Sequence, residues 1–215
     1  SPTAMPLERR TFLAALASSL LGLRGARAQP AVSSQADESA LLLHLREEEK
    51  IARDVYDRFA ASEPLFATLA DAERNHFEAV GRLLSTRGLH DPAQNRAPGA
   101  FEDRAFAELY TAFVARGTTP VARLEVGLEI EELDLSDLER ALAIATSPDV
   151  RRVFTNLARG SRNHLRHLHA SLAAAGGSYA PRHLSREAYD AIVGSPIERG
   201  GGGGGGYGRG RRGPP

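Results

Sequence analysis

The chain has 215 residues, a formal net charge of zero and no cysteine. This length suits one domain with tails, and the lack of cysteine excludes disulfides, thiolate metal sites and cysteine nucleophiles. Residues 1–28 carry four Arg and one Glu (+3) and residues 200–215 carry three Arg (+3), so residues 29–199 carry −6. An acidic body argues against binding to duplex DNA.

The N-terminus has the pattern of an export signal. Arg9-Arg10-Thr11-Phe12-Leu13 opens an apolar stretch that ends at Leu23, and Ala26-Arg27-Ala28 offers a small-x-small cleavage site. The stretch is shorter than the roughly 20 residues that span a bilayer, and an amphipathic first helix is the alternative. Since Arg-Arg-x-Phe-Leu resembles the bacterial twin-arginine signal, we expect residues 1–28 to be a signal peptide. The mature chain is then periplasmic or extracellular and has no membrane span.

Residues 29–37 are expected to be a linker, and residues 38–194 a helical domain without strands. The first helix is expected over residues 38–61 and the second from Pro64 to Gly88. Each carries an apolar stripe at heptad spacing, which is typical of the buried seam of a helix bundle. A long connection follows, with a short extra helix over residues 101–115.

Two further long helices are predicted after the connection. Thr119 and Pro120 form the start of the third, and Ser136-x-x-Glu139 resembles a capping box, which predicts a break or kink near Asp134. The fourth starts at Ser147-Pro148 and stops at Gly176-Gly177.

The C-terminal part is predicted to hold one short helix and a tail. The helix is expected over residues 185–193, lying on the bundle. Seven glycines begin at Gly200 and an arginine–glycine segment follows. Such a composition cannot form a packed core. We therefore expect residues 195–215 to be a disordered tail that attracts anions weakly, with specific RNA binding as the alternative.

The two helix pairs resemble each other in sequence. Glu73-Arg74-Asn75-His76 returns as Ser161-Arg162-Asn163-His164, and an ungapped alignment of the preceding helices matches Glu48-Glu49 with Glu131-Glu132. A bundle of two similar hairpins has a pseudo-twofold axis through its centre. A site formed by both hairpins would lie on that axis.

The stripes carry acidic residues that need compensation. Glu48, Glu73 and Glu131 occupy stripe positions, His76 and His164 accompany them, and no lysine or arginine lies on a stripe. A buried charged carboxylate costs several kcal/mol unless it is paired. Glu-x-x-His places a carboxylate and an imidazole on one helix face. A single copy usually lies on a solvated surface, but its repetition with upstream glutamates favours a pair of buried metal ions.

Two groups of motifs indicate a family. Glu49-Lys50-Ile51-Ala52-Arg53-Asp54-Val55-Tyr56 followed by Glu73-x-x-His76 resembles the first half of rubrerythrins and other ferritin-like proteins. The segments 46–50, 130–134 and 160–164 together resemble an uncharacterised bacterial family of ferritin-like domains, DUF2202. The resemblance covers roughly residues 41–193. It implies an all-α fold, a ferritin-like antiparallel four-helix bundle with a long crossover that contains the short extra helix.

The resemblance also implies a set of metal ligands, which are Glu49, Glu73, His76, Glu132 and His164. Glu73 would bridge two ions, and Ser161 stands where a second bridging glutamate is expected. Heptad spacing instead favours Glu48 and Glu131; we follow the resemblance. Carboxylate and imidazole ligands suit iron, manganese or zinc better than calcium. Two iron ions are the expected cofactor.

The function implied is that of an exported metal-binding protein that oxidises ferrous iron or reduces oxygen or peroxide. Rubrerythrins pass electrons through a cysteine-ligated iron, which this chain lacks, so sustained peroxidase turnover is disfavoured. A structural or interaction bundle with an unmetallated site is the alternative, and Ser161 supports it. The long crossover is compatible with a monomer or a homodimer.

Overall fold

The computed structural model describes residues 30–199, and this part of the chain is all-α. Its helices are α1 (Pro30–Ala60), α2 (Pro64–Thr86), α3 (Arg104–Arg116), α4 (Pro120–Ile144), α5 (Pro148–Ala174) and α6 (Arg186–Val193). No strand occurs in the described range, so the all-α prediction is confirmed. The predicted signal peptide, residues 1–28, and residues 200–215 of the predicted tail lie outside it.

The helix starts follow local backbone chemistry. Pro64, Pro120 and Pro148 occupy the first positions of α2, α4 and α5, where the missing N–H would have no partner within the helix. Thr119 caps α4 by accepting a 3.1 Å hydrogen bond from the amide of Ala122. Gly88 follows the end of α2 with a φ of 61°, a conformation in which glycine has no side-chain clash.

Three predicted boundaries differ from the structure. The first helix begins at Pro30 and includes most of the predicted linker. The predicted break near Asp134 is wrong: α4 runs without interruption to Ile144, and the Ser136 hydroxyl accepts from Arg140 instead of capping a helix. The predicted tail starts too early, because Glu198 makes ion pairs of 2.6 and 2.9 Å with arginines on α5.

The four long helices enclose a common core. Helix α1 packs along α2 and α4, and α5 packs along α4 and α2. The crossover helix α3 lies against α1 and α4 and buries Phe106 and Phe113. Helix α6 covers α5 with the buried ring of Tyr189. No helix between residues 30 and 199 is long and apolar enough to cross a membrane. Acidic side chains on the inner faces of the long helices therefore enter a core that is mainly apolar.

Candidate metal centre

Glu73 on α2 lies in the middle of a buried cluster and is only 2 % exposed. Its Oε2 lies 2.9 Å from Nδ1 of His76, one turn later on the same helix, and its Oε1 lies 2.7 Å from Nδ1 of His164 on α5. The two imidazole rings stack with their centroids 5.5 Å apart. Each oxygen of one carboxylate thus faces a different imidazole, which is the placement that a bridging ligand of two ions requires.

Each imidazole also faces a second carboxylate. Nδ1 of His76 lies 3.4 Å from Oε2 of Glu49 on α1, and Nδ1 of His164 lies 3.5 Å from Oε2 of Glu131 on α4. Two groups of three ligands result, and within each group the ligand atoms lie within 4.8 Å of one another. The groups share Glu73. All four long helices therefore contribute to one centre.

Glu132, the ligand that the family resemblance implied on α4, points elsewhere. Its carboxylate accepts hydrogen bonds from the hydroxyl of Tyr179 (2.7 Å) and the amides of Arg182 (2.9 Å) and Leu184 (3.3 Å). It anchors the segment between α5 and α6. Glu131, the residue favoured by heptad spacing, takes the position in the cluster. The structure thus brings together Glu49, Glu73, His76 and His164 and replaces Glu132 with Glu131.

Tyr56 holds Glu131 in place from α1. Its hydroxyl donates a 2.5 Å hydrogen bond to Oε1 of Glu131 and lies 3.3 Å from the carbonyl of Gly127. Burial, followed by the charge on Glu131, raises the pKa of Tyr56 well above its usual value, so the phenol stays a hydrogen-bond donor. Tyr56 is thus a core tyrosine that is hydrogen-bonded to a carboxylate.

Asp134 is a buried carboxylate that the sequence patterns did not indicate. It lies one turn after Glu131 on α4, and the fully buried hydroxyl of Ser161 makes a short hydrogen bond to its Oδ2. Its Oδ1 is buried without a hydrogen-bond partner. Position 161 has no carboxylate of its own, but its serine hydroxyl orients the carboxylate of Asp134 on α4. The i, i+3 spacing of Glu131 and Asp134 puts both carboxylates on one face of α4, and this spacing was the only signal that the sequence offered.

The electrostatics of the cluster show an excess of negative charge. Burial, followed by the charge on Asp134, raises the pKa of Glu49, and burial raises the pKa of Asp134 to about 7. Burial also raises the pKa of Glu131, although His164 opposes it. Burial acts in the same direction on Glu73, but the two imidazoles outweigh it and lower its pKa. The pKa of His164 reaches about 10 because Glu73 and Glu131 outweigh the effect of its burial.

The donor set fits metal ions better than it fits hydrogen bonding. Several of its buried atoms lack a hydrogen-bond partner: Oε1 of Glu49, Oε1 of Glu73, Oδ1 of Asp134 and Nδ1 of His164. The 2.7 Å contact between Glu73 and His164 has the length of a hydrogen bond without its geometry. No lysine or arginine within residues 35–199 forms an ion pair with any of these carboxylates. Together with Glu131 these carboxylates number four, and their formal charge would match that of two divalent cations. Carboxylate and imidazole together are a ligand set for iron, manganese or zinc.

Gly160 makes room for the centre on α5. A Cβ atom at this position would lie 2.6 Å from Cε1 of the His76 imidazole, closer than real side chains allow. The absence of a side chain therefore lets the ring of His76 pack directly against the α5 backbone. This explains why a glycine precedes Ser161 on the inner face of a long helix.

A smaller cluster lies between α1 and α4. Nε2 of His44 lies 2.8 Å from Oδ2 of Asp137 and 3.8 Å from Oε2 of Glu48. Glu48, the stripe residue that heptad spacing favoured as a ligand of the centre, is therefore turned toward His44. Burial lowers the pKa of His44 and favours its neutral form. In the sequence, the i, i+4 spacing of His44 and Glu48 places the two side chains on one face of α1. That spacing does not indicate that Asp137 on α4 lies next to them.

These features define an all-α protein whose core holds a carboxylate–histidine cluster. The chain belongs to the family of the uncharacterized protein domain DUF2202, whose model matches residues 38–196. It is 39% identical over 167 residues to the uncharacterized protein MJ0754 of Methanocaldococcus jannaschii, an alignment that covers 76% of this chain and 90% of that protein. The crystal structure of hypothetical protein MJ0754 from Methanococcus jannaschii matches with a TM-score of 0.75 and 36% identity, covering 81% of this chain and 100% of the other.

Proposed function

We propose that this chain is an exported ferritin-like protein that binds two metal ions, iron in preference to manganese or zinc, and oxidises ferrous iron with oxygen or peroxide. The observation that carries the proposal is the placement of Glu73 between His76 and His164. A single carboxylate that faces two imidazoles through different oxygens is suited to hold two ions side by side.

The arrangement of ligands along the chain supports the ferritin-like part of the proposal. Helix α1 offers a glutamate, α2 a Glu-x-x-His, α4 a second glutamate and α5 a histidine. Di-iron carboxylate bundles place their ligands on four helices in this manner, with Glu-x-x-His motifs on two of them. The departure is Ser161, where the second Glu-x-x-His lacks its carboxylate. Asp134 is near enough to supply that charge.

The residues have distinct roles in this proposal. Glu49 and His76 would hold one ion and Glu131 and His164 the other, with Glu73 as a ligand that both groups share. Asp134 adds the fourth negative charge, either directly or through water. Iron bound here supplies one-electron transfer to oxygen or peroxide. His76, with a side chain 14% exposed, is the most exposed of these ligands.

The electron balance favours ferrous iron as the substrate. Each ferrous ion that is oxidised gives one electron, and two such electrons with two protons reduce hydrogen peroxide to two water molecules. The chain has no cysteine and hence no cysteine-ligated iron to return electrons to the centre. Oxidation of incoming ferrous iron needs no such relay, whereas repeated reduction of peroxide needs an external donor.

Metal content after anaerobic loading tests the proposal. The full chain is loaded with ferrous iron, desalted and subjected to elemental analysis beside the variant Glu73→Gln. Glu78→Gln is the matched control, because Glu78 is an exposed glutamate on the same helix. We expect the wild type and the control to hold two more iron ions per chain than Glu73→Gln, which loses the ions of the centre. Addition of oxygen or peroxide should then oxidise the bound ferrous ions to ferric iron.

The outcome that favours a structural or interaction bundle is equally definite. In that case the wild type and Glu73→Gln retain equal amounts of iron, manganese or zinc. Thermal unfolding then gives the same midpoint with and without a chelator. A metal that binds only the folded chain at 100 times its dissociation constant would stabilise it by about 2.7 kcal/mol, which is easily measured.

Export is proposed on the basis of the N-terminal sequence. Arg9 and Arg10 precede the apolar stretch in the twin-arginine order. Cell fractionation of a bacterial host that expresses the full chain tests it. We expect the wild type outside the cytoplasm and Arg9→Lys/Arg10→Lys retained within it; equal distribution of the two would contradict this route.

A further inference from the structure

A second group of metal-ligand side chains lies outside the centre, on α1 and α4. We propose that His44, Glu48 and Asp137 form a separate site for one divalent transition-metal ion. The ligand atoms of these three residues lie within 4.8 Å of one another. None of the three belongs to the set that surrounds Glu73.

The geometry leaves one buried oxygen without a partner. Nε2 of His44 contacts Oδ2 of Asp137 at 2.8 Å, and an ordinary histidine–aspartate hydrogen bond accounts for this contact. It does not account for Glu48, which is 6% exposed and whose Oε2 makes no hydrogen bond. That oxygen lies 3.8 Å from Nε2 of His44. A cation bound between this oxygen and the imidazole would offset the cost of burying the carboxylate.

The local charge is negative even after the nearest arginine is included. Arg140 makes a very short ion pair with Oδ1 of Asp137, which leaves Oδ2 directed at His44. No lysine or arginine in the described range pairs with Glu48. Two carboxylates and one guanidinium leave one uncompensated negative charge.

The site is accessible from the surface. The side chain of His44 is 20% exposed and lies in the wall of a depression of about 350 Å³. Three acidic residues share that wall: Glu47, Glu102 and Asp103. His44 therefore lies between this acidic depression and the buried carboxylates of Glu48 and Asp137.

The ligand set selects the class of ion. One imidazole with two carboxylates suits zinc, manganese, ferrous iron or cobalt, while calcium prefers more oxygen ligands. Three protein ligands leave the remaining coordination positions to water, as in exposed sites of moderate affinity. Cobalt(II) is a suitable probe, because its visible spectrum reports ligation.

The stoichiometry of cobalt binding tests the proposal on the full chain. The variant Glu73→Gln removes the proposed centre, and it should retain one cobalt ion per chain. The ion should be lost in Glu73→Gln/His44→Ala and kept in Glu73→Gln/His90→Ala. His90 is the matched control, since it contacts Glu102 at the same 2.8 Å distance but lies exposed on the surface. Isothermal titration and elemental analysis count the ions, and circular dichroism confirms that each variant is folded.

The outcomes separate this site from the proposed centre. If the centre fails and the second site stands, the wild type and Glu73→Gln both bind one ion, which disappears with His44→Ala. A folded Glu73→Gln protein that binds no cobalt overturns the second site. Should His44→Ala not fold, the isosteric Glu48→Gln replaces it, and unchanged affinity in that variant would also overturn the site.

Arg140 allows a test in the opposite direction. Arg140→Gln removes a positive charge next to Asp137, so the Glu73→Gln background should bind cobalt about tenfold more tightly, as expected for one charge near a divalent ion at a partly exposed position. Unchanged or weaker binding would contradict the placement of the ion beside Asp137.

Discussion

The two sequence-related halves of the molecule use equivalent glutamates for different purposes. In the first half, Glu49 faces the centre and Glu48 faces His44. In the second half the roles are exchanged: Glu131, the counterpart of Glu48, faces the centre, and Glu132, the counterpart of Glu49, faces the segment after α5. Internal sequence symmetry therefore identified the helices and their inner regions but not the side chain that each helix turns toward the centre.

The cause of the difference is what packs outside each helix pair. The segment after α5 lies against α4, and one of its hydroxyls and two of its amides donate hydrogen bonds to Glu132. No described segment presents such donors to Glu49. A carboxylate surrounded by hydrogen-bond donors is stabilised without a cation, so Glu132 is satisfied where it lies. Glu49 has the imidazole of His76 as its neighbour, and its Oε1 has no hydrogen-bond partner.

The second difference between the halves concerns Glu73 and its counterpart Ser161. Glu73 contacts the imidazoles of both halves, whereas Ser161 contacts only Asp134 and its own helix. The first half thus contributes the shared ligand, and the second half contributes an oriented carboxylate from another helix. We expect the two halves to differ in affinity for metal, and the following changes test that comparison.

Glu73→Gln should have the largest effect, because Glu73 is the one residue common to both ligand groups. Both ions should be lost, whereas His76→Ala should remove mainly the ion of the first half and His164→Ala that of the second. Elemental analysis after iron loading measures this. Loss of one ion only in Glu73→Gln would show that the two halves bind independently.

The variants Glu131→Gln and Glu132→Gln test which of these two glutamates on α4 is the metal ligand. Glu131→Gln should lose the second ion and keep the fold. Glu132→Gln should keep both ions but lower the free energy of unfolding by about 2 kcal/mol, since it weakens charge-assisted hydrogen bonds to Tyr179 and two backbone amides. Urea denaturation and metal analysis of the two proteins provide the measurement. The reverse result would identify Glu132 as the ligand, as the family resemblance implied.

The metal-free protein should lose stability as the pH rises from 7 to 9. The pKa of His164 is raised to about 10, and Glu73 and Glu49 raise that of His76 against the effect of its burial. A base with a raised pKa in the folded state contributes stability that is complete below about pH 6.5 and is lost as the pH rises toward the folded pKa. We expect a decrease of roughly 2 kcal/mol from His164 alone and a further decrease from His76, both measured by urea denaturation.

Metal loading should abolish this pH dependence, because ligating imidazoles are neutral. His164→Gln should reduce it in the metal-free protein by removing one of the two bases. A metal-free protein of constant stability between pH 7 and 9 would show that the imidazoles are not held in their charged form.

Asp134→Asn should produce the smallest effect and one of opposite sign in the two states. The change removes a buried charge but keeps an oxygen that can accept from Ser161, so the metal-free protein should gain about 1 kcal/mol. The loaded protein should bind its second ion about tenfold more weakly. Melting temperatures with and without chelator measure both. Destabilisation in the absence of metal would mean that the charge on Asp134 stabilises the fold by itself.

The sequence by itself determined the helices and most of the candidate centre. Heptad spacing of apolar residues fixed the four long helices, because helical periodicity is a local property that each segment carries alone. Proline and glycine at the ends set the starts at Pro64, Pro120 and Pro148 and the turn at Gly88. The repeated histidines and Glu73 lie together as the repeat predicted, and Glu49 joins them as the family resemblance implied.

The tertiary structure decided what depends on contacts between distant segments. Whether Glu131 or Glu132 faces the core follows from a rotation of about 100° about α4, and the donors of the segment around Arg182 settle it. The orientation of Asp134 by Ser161 and the meeting of His44 with Asp137 likewise join residues on different helices. A one-residue choice on a helix leaves no trace in its periodicity, since adjacent glutamates satisfy the same pattern until the rest of the chain packs around them.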